Sequence, residues 1–213
     1  MKITIVYDNE VKRVGLGSGW GFAAFIEGQG IPPVLFDTGA DGPTLLHNIR
    51  ELNIDPTSIE TIVISHAHGD HTGGLSEILK INERAQLFLP SSFRGALPER
   101  RVTIVEDVVE ICANIFSTGE LEAIEQSLAI RTDKGIFVVT GCAHPAMKNI
   151  LGAASQFGKV YGIAGGFHGF HDFKLFNNLS QIYPCHCTQY KKQILDLFPD
   201  KALGCGAGLV IQL

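Results

Sequence analysis

The sequence predicts one α-and-β domain, with strands buried by helices on both outer sides. Short β-branched runs alternate along the chain with helical patterns and turn signals. The chain has 213 residues, of which 45% are apolar, so one substantial core is expected and two domains would be cramped. No linker, low-complexity tract or repeat interrupts the pattern, and we therefore expect residues 1–213 to form a single domain.

The first part of the chain predicts strands that alternate with helices. Three opening strands are predicted by the runs ITIVY, GFAAFIE and PVLFDTG. The segment GPTLLHNIREL predicts a helix, since Pro43 lies in its first turn and its leucines share one face with Ile49. The continuous apolar run ETIVIS predicts a strand buried on both faces, and GLSEILKI predicts the helix after it.

The middle and end of the chain predict mainly strands. Between residues 85 and 131, β-rich character with few helical signals is found in the runs AQLFLP, RVTIVED, ICANIFS and QSLAIRT. Three further strands are predicted by GIFVVTG, KVYGIAG and QIYPCHC. Helical patterns accompany these strands at roughly 146–157, 172–180 and 188–198.

Charge and hydropathy argue against two classes of partner. The net charge of −5 and a pI near 5.9 do not suit a protein that binds polyanions by bulk electrostatics, so no nucleic-acid partner is expected. The apolar run in the opening MKITIVYDNE is too short for a secretory core, and no segment approaches the roughly 18 apolar residues of a membrane span. We therefore expect a soluble, cytoplasmic protein with no membrane partner.

The segment VISHAHGDHTGGL, residues 63–75, contains four potential metal ligands in six positions after an apolar run: His66, His68, Asp70 and His71. Imidazole and carboxylate together suit zinc or another borderline divalent ion. In a turn that leaves a strand, this spacing can aim the first two side chains at one point and the last two at a second point nearby. The segment is therefore better suited to binding two ions than one.

A histidine-rich surface loop is the alternative interpretation of this segment. The density of ligands directly after a buried strand favours a metal site over such a loop. Glycines at positions 69, 73 and 74 add to this argument, because glycine lets the backbone turn tightly around an ion.

The remaining ligands are expected at distant strand ends, since site residues tend to lie on loops that a rigid scaffold positions. His144 follows the predicted strand GIFVVTG, His168 follows KVYGIAG, and His186 lies in QIYPCHC. A random scatter of histidines would put more of them in helices and surface loops.

These residues also carry a family resemblance. The run SHAHGDH matches the H-x-H-x-D-H signature of the metallo-β-lactamase superfamily, and LFDTG resembles the strand turn with an aspartate that lies upstream in those proteins. The segments GCAHPAMKNIL, GGFH and PCHCTQ resemble a subgroup of metal-dependent hydrolases within it. Some members of that subgroup are described as a dihydropterin ribofuranosylaminobenzene phosphate synthase.

The resemblance implies an α+β fold, the four-layer αβ/βα sandwich, with a dinuclear metal site at one edge of the sheets. It implies that the first ion is bound by His66, His68 and His144, and the second by Asp70, His71 and His186. The ions are expected to be two divalent metals, zinc first, with manganese or iron as alternatives. A shared water completes both sites and leaves an exchangeable position, as catalysis requires.

His168 departs from the family pattern, because most members have a bridging aspartate near this place. An imidazole nitrogen cannot bridge two ions as a carboxylate does. Three interpretations stay open: His168 ligates one ion only, or it lies outside the metals and handles protons or substrate, or the second ion is weak. A second departure is Trp20, near a position where the subgroup often has histidine.

Other residues near the motifs are given supporting roles. Asp37 is expected to accept a hydrogen bond from a ligand imidazole, with an ordinary strand-end turn as the alternative. The five scattered cysteines indicate reduced thiols, with Cys185 and Cys187 as small buried hydrophobes. Cys142 is expected to pack near the site without a further role.

The predicted activity is metal-assisted hydrolysis of a phosphoester, ester or similar small substrate, in which Asp70 accepts a proton from the nucleophilic water and His168 assists. The segment PSSFRGALPERR holds Arg94, Arg100 and Arg101, which would suit a loop that binds phosphate, or else an exposed basic loop. The alternative function is the pterin-related synthase activity of the subgroup. A redox or non-catalytic metal-binding role is a further alternative, and the sequence does not indicate the oligomeric state.

Overall fold

A mixed sheet begins the fold in the computed structural model, which describes residues 1–95 and 101–213. Its first six strands are Lys2–Tyr7 (β1), Ala23–Gly28 (β2), Ile31–Phe36 (β3), Thr61–Val63 (β4), Gln86–Pro90 (β5) and Val102–Val105 (β6). Strands β1 to β3 pair antiparallel, and β3 to β6 pair parallel. The parallel strands end at one edge, so the segments that follow β3 and β4 lie side by side there.

A second sheet follows in the chain. Its strands are Val109–Cys112 (β7), Ile115–Ser117 (β8), Leu128–Thr132 (β9), Gly135–Thr140 (β10), Val160–Gly166 (β11) and Gln181–Cys185 (β12). Strands β7 to β10 pair antiparallel, and β10 to β12 pair parallel. The last strand, Val210–Gln212 (β13), returns to pair with β1 of the first sheet.

Five short helices accompany the two sheets in the described part of the chain. They are Gly42–Glu51 (α1), Gly69–Thr72 (α2), Leu75–Ile81 (α3), Met147–Ser155 (α4) and Lys191–Leu197 (α5), with short 3-10 turns at Pro56–Ser58 and Phe173–Phe176. Helix α1 begins after Asp41, whose side chain accepts a hydrogen bond from the backbone N–H of Thr44 at 2.8 Å. None of the helices in the described residues is long and apolar enough to cross a bilayer.

Three buried apolar clusters give the layer order. The central cluster joins the two sheets, since it contains Phe36 and Val63 of the first and Phe137 and Val139 of the second. A second cluster packs α1 and α3 on the first sheet, and a third packs α4 and α5 on the second sheet. The arrangement is therefore the four-layer αβ/βα sandwich that the resemblance implies.

The structure departs from the sequence predictions in four places. The predicted helix at 172–180 is only the 3-10 turn Phe173–Phe176, in which Phe176 is buried against the third cluster. The run ICANIFS is a hairpin, since Asn114 takes a φ of 67° between β7 and β8. Strand β13 was not predicted, because its three residues are too few to give a periodic pattern. The expectation of reduced thiols is wrong for Cys185 and Cys205, which form a disulfide.

Candidate metal centre

The six predicted metal ligands converge at the edge where both sets of parallel strands end. We call His66, His68 and His144 the first donor set, and Asp70, His71 and His186 the second. Within the first set the ring centroids lie 4.6 to 4.8 Å apart. The fold therefore brings together side chains that the sequence separates by more than a hundred residues.

The first donor set fits a metal ion. Nε2 of His66 lies 3.1 Å from Nδ1 of His68. Two nitrogens bound to one tetrahedral zinc lie roughly 3.4 Å apart, given zinc–nitrogen bonds of about 2.1 Å. Nε2 of His144 is buried and has no hydrogen-bond partner among the described residues, which is costly for a polar atom unless something binds it. An ion at this point would bind that nitrogen.

The second donor set contributes the negative charge that a divalent ion needs. The Oδ2 atom of Asp70 lies 3.1 Å from Nε2 of His186 and 3.8 Å from Nε2 of His71. The hydrogen bond with His186 is the main reason that the pKa of Asp70 lies well below its usual range. Asp70 is therefore ionised at neutral pH, as a ligand should be.

Two glycines after α2 hold the ligand segment against the preceding loop. A Cβ atom at Gly73 would lie 2.1 Å from the carbonyl oxygen of Ala40, and one at Gly74 would lie 2.4 Å from that of Thr38. Their φ angles are −61° and −84°, which any residue adopts. Close backbone packing, and not the unusual turn that we expected, therefore explains both glycines.

Asp37 orients two of the predicted ligands through hydrogen bonds. Its Oδ2 lies 2.7 Å from Nδ1 of His71 and accepts a 2.7 Å hydrogen bond from the Ser65 hydroxyl, while its Oδ1 accepts from the Ser65 N–H. The Ser65 Oγ lies 2.9 Å from Nδ1 of His66. Asp37 thus contacts one ligand directly and a second through Ser65, and both Nε2 atoms stay free to bind metal.

Burial and charge have opposite effects on the pKa values of Asp37 and His71. Burial raises the pKa of Asp37, although the His71 imidazole and the hydrogen bonds from Ser65 act to lower it. Burial is the largest influence on the pKa of His71 and acts to lower it, but the carboxylates of Asp37, Asp70 and Glu125 together raise it. At His66 no carboxylate compensates fully, so burial and the neighbouring imidazoles lower its pKa far below the usual value. His66 is therefore neutral and able to bind metal.

Glu125 is a buried site residue that sequence reasoning missed. One oxygen accepts hydrogen bonds of 2.9 to 3.1 Å from the Thr140 hydroxyl and from the backbone N–H groups of residues 141, 142 and 143. The other accepts from the His144 N–H at 3.0 Å. Glu125 therefore fixes the whole loop that delivers His144. It precedes β9 in a segment without a motif, so no local signal indicated this role.

Residues after β1 position His186, and they were also missed. The His186 N–H donates to Asp8 at 3.0 Å, and its Nδ1 lies 2.9 Å from Oδ1 of Asn9. The exposed Trp20 ring lies with its centroid 4.9 Å from that of His186. The polar run DNE directly after the strand ITIVY was the available signal.

His168 lies outside the two close groups of donor atoms, whereas Cys142 lies inside both. His168 is exposed, its ring centroid lies 5.0 Å from that of His144, and it belongs to neither close group of donor atoms. Cys142, expected only to pack, has its sulfur 3.1 Å from Nε2 of His71. Its sulfur is also part of a close donor group with His66 and His144.

A cavity of about 410 Å³ opens beside the first donor set. His144 and His168 line it on the metal side. Its other lining residues include the apolar Met147, Phe170 and Leu175 and the polar Lys148, His171 and Asp172. This cavity can accept a small molecule with an apolar part and an anionic part.

The predicted phosphate-binding arginines do not line this cavity. Arg94 is exposed, and its guanidinium donates to the carbonyl oxygens of Ser91 and Phe93. Arg101 precedes β6, so it lies at the opposite end of the parallel strands from the metal ligands. Arg100 lies outside the described residues. Lys148 and His171 are therefore the candidates at the cavity for contact with an anionic group.

The chain resembles known proteins along much of its length. Residues 21–83 match the family model of the metallo-beta-lactamase superfamily. A 7,8-dihydropterin-6-methyl-4-(beta-D-ribofuranosyl)-aminobenzene-5'-phosphate synthase of Methanocaldococcus jannaschii is 31% identical over an alignment of 206 residues. The match covers 70% of this chain and 70% of that protein.

Solved structures share the fold. Tm1679, described as a metal-dependent hydrolase of the beta-lactamase superfamily, superposes with a TM-score of 0.80 at 26% identity, over 100% of this chain and 99% of that one. The short form of human tRNase Z shares the fold alone, with a TM-score of 0.63 at 13% identity, over 100% and 99% of the two chains. With the synthase homologue and the shared fold, the chain belongs to the metallo-β-lactamase superfamily.

Proposed function

We propose that the protein is a metal-dependent hydrolase that binds two divalent ions and acts on a small phosphorylated ester. One observation carries the proposal: two sets of three donors lie side by side, and Nε2 of His144 is buried without a hydrogen-bond partner in the described chain. Imidazoles and one carboxylate suit zinc best among common divalent metals, with manganese or iron as alternatives.

The bound ions would supply a water that ionises near neutral pH and would polarise the oxygen under attack. Asp70 is ionised and partly exposed, with 21% of its side chain open to solvent, so it can accept a hydrogen bond from the attacking water and orient it. His168 lies exposed at the cavity beside His144, where it can donate a hydrogen bond to substrate or transfer a proton.

The cavity supports the substrate class. Lys148 and His171 can bind an anionic group such as phosphate, and Met147, Phe170 and Leu175 can contact a flat apolar portion. A cavity of about 410 Å³ suits a small molecule and not a polymer.

A second function is favoured by a specific relative. The similar protein of Methanocaldococcus jannaschii is a pterin-related synthase, and a flat pterin-like ring would suit the apolar part of the cavity. In that case the same centre would transfer a group to an acceptor instead of to water.

Metal counting and turnover test the proposal together. We expect the purified protein to bind two equivalents of zinc and to hydrolyse bis-p-nitrophenyl phosphate or p-nitrophenyl phosphate without any acceptor. Asp70→Ala should abolish turnover, whereas Asp133→Ala, in the exposed turn before β10, should not change it. Turnover only after a pterin-like acceptor is added would favour the synthase. One tightly bound metal and no turnover of any ester would reject the hydrolase.

A further inference from the structure

The sulfur of Cys142 lies between the two donor sets. It is 3.1 Å from Nε2 of His71, the nitrogen through which His71 would bind metal. The ligand atoms of Asp70, His71, Cys142 and His186 all lie within 4.8 Å of one another. The same is true of the group His66, Cys142 and His144. Of the described donors, Cys142 is the one that belongs to both groups.

The spacing suits a ligand. A sulfur and a nitrogen bound to one tetrahedral zinc lie roughly 3.6 Å apart, given bonds of about 2.3 Å and 2.1 Å. A thiol that only packed against His71 would have to give up its contact with Nε2 when that nitrogen binds an ion. A thiolate at the same place would instead bind the same ion.

The backbone holds Cys142 in this position. Its N–H donates to the buried Glu125 carboxylate at 3.0 Å, and the next residue, Ala143, has a φ of 54°. A Cβ atom at Gly141 would lie 2.2 Å from the Ser65 hydroxyl, so this segment packs directly on the groups that orient His66 and His71. The sulfur is thus positioned by the same network as the imidazoles.

His168, which follows β11, is exposed, and its nitrogens belong to neither close group. A thiolate differs from an imidazole as a ligand. One thiolate sulfur can bind two ions at once, whereas one imidazole nitrogen binds a single ion.

We propose that Cys142 is a metal ligand, and that its thiolate is shared by the two ions because its sulfur belongs to both donor groups. The inference rests on the proposal that this centre binds metal, and it does not depend on whether the reaction is hydrolysis or group transfer. A thiolate ligand should also make the centre prefer zinc and cobalt to manganese, because sulfur binds the softer ions.

Cobalt substitution tests this ligand without an activity assay. The metal-free protein is loaded with Co²⁺ under anaerobic conditions and without added thiol, which keeps the disulfide intact. We expect a thiolate-to-cobalt charge-transfer band in the near ultraviolet, lost in Cys142→Ser. Cys112→Ser is the control, since Cys112 is a free, partly buried cysteine of β7 that lies in neither close donor group, and it should keep the band.

X-ray absorption of the zinc-loaded wild-type protein serves if Cys142→Ser does not fold. We expect one sulfur scatterer at about 2.3 Å from zinc. Cobalt bound without a charge-transfer band, or a band that survives Cys142→Ser in the folded protein, would overturn the role of Cys142 and leave the metal centre standing. Failure of the wild-type protein to bind cobalt or zinc would overturn both proposals.

Discussion

Nδ1 of His71 lies 2.7 Å from Oδ2 of Asp37, and neither side chain is exposed to solvent. The carboxylate oxygen that faces His71 also accepts a hydrogen bond from the Ser65 hydroxyl. This oxygen therefore fixes which nitrogen of His71 carries the proton, and with it which nitrogen can bind an ion.

Asp37→Asn should weaken metal binding more than it weakens the fold. The amide oxygen can still accept from the Ser65 N–H, but the NH₂ group would face Nδ1 of His71, and His71 would then carry its proton on Nε2. We expect metal affinity to fall roughly 10–100-fold. Chelator competition measures the affinity, and denaturant unfolding measures the stability. An Asp55→Asn control, at the exposed cap of the turn Pro56–Ser58, should leave metal affinity unchanged.

Glu125→Gln should destabilise the protein and misplace the loop of His144. Glutamine retains one acceptor oxygen, so the N–H of His144 would face an NH₂ group in a buried site. We expect a loss of about 2–3 kcal/mol in the free energy of unfolding, with weaker metal binding.

The control for this change is Glu122→Gln. Glu122 is exposed, and it accepts hydrogen bonds from the Ala146 N–H and the Asn149 side chain near the same loop. Its loss should cost under about 1 kcal/mol. Equal effects of the two substitutions would contradict the role given to Glu125.

The two glycines of the ligand segment should respond differently to alanine. Gly73→Ala would force a Cβ to within 2.1 Å of the Ala40 carbonyl oxygen, whereas a Cβ at Gly69 would meet nothing within 4 Å. We expect Gly73→Ala to cost about 1–3 kcal/mol or more. Gly69→Ala should be neutral or slightly stabilising, because alanine favours the helix more than glycine does. Thermal unfolding of both variants checks the prediction, and equal melting temperatures would refute it.

Asp41 should give α1 a pH-dependent part of its stability. Hydrogen bonds from the side chain and N–H of Thr44 lower the pKa of Asp41 in the folded state. Its contribution is therefore complete above the unfolded pKa, about 3.9, and is lost as the pH falls through the lower folded pKa. Asp41→Ala should cost about 1 kcal/mol at pH 7, and this difference from wild type should shrink below about pH 4.

Asp41→Asn separates the cap from the charge. Asparagine caps a helix about as well as aspartate does, so most of the stability should remain at pH 7. The unfolding free energy of this variant should not show the acid-dependent change at this site. Urea unfolding at a series of pH values distinguishes the three proteins.

Local pattern predicted some of the site, and long-range contacts formed the rest. His66, His68, Asp70 and His71 could be recognised because six consecutive positions carry the donors. His144 and His186 could be inferred because each is next to a buried strand. Glu125 and Cys142 could not be predicted, since their roles depend on contacts with residues distant in sequence. Glu125 accepts hydrogen bonds from the loop that contains Cys142, and the Cys142 sulfur contacts the imidazole of His71, which follows a strand of the other sheet.

The location of the two donor sets has a mechanical consequence. Asp70 and His71 follow a strand of the first sheet, whereas Cys142 and His186 follow strands of the second. An ion bound by all of them would cross-link the sheets at this edge, so metal affinity would measure how closely they pack. Even a substitution deep between the sheets, at Phe137 for example, would then alter metal affinity without touching a ligand.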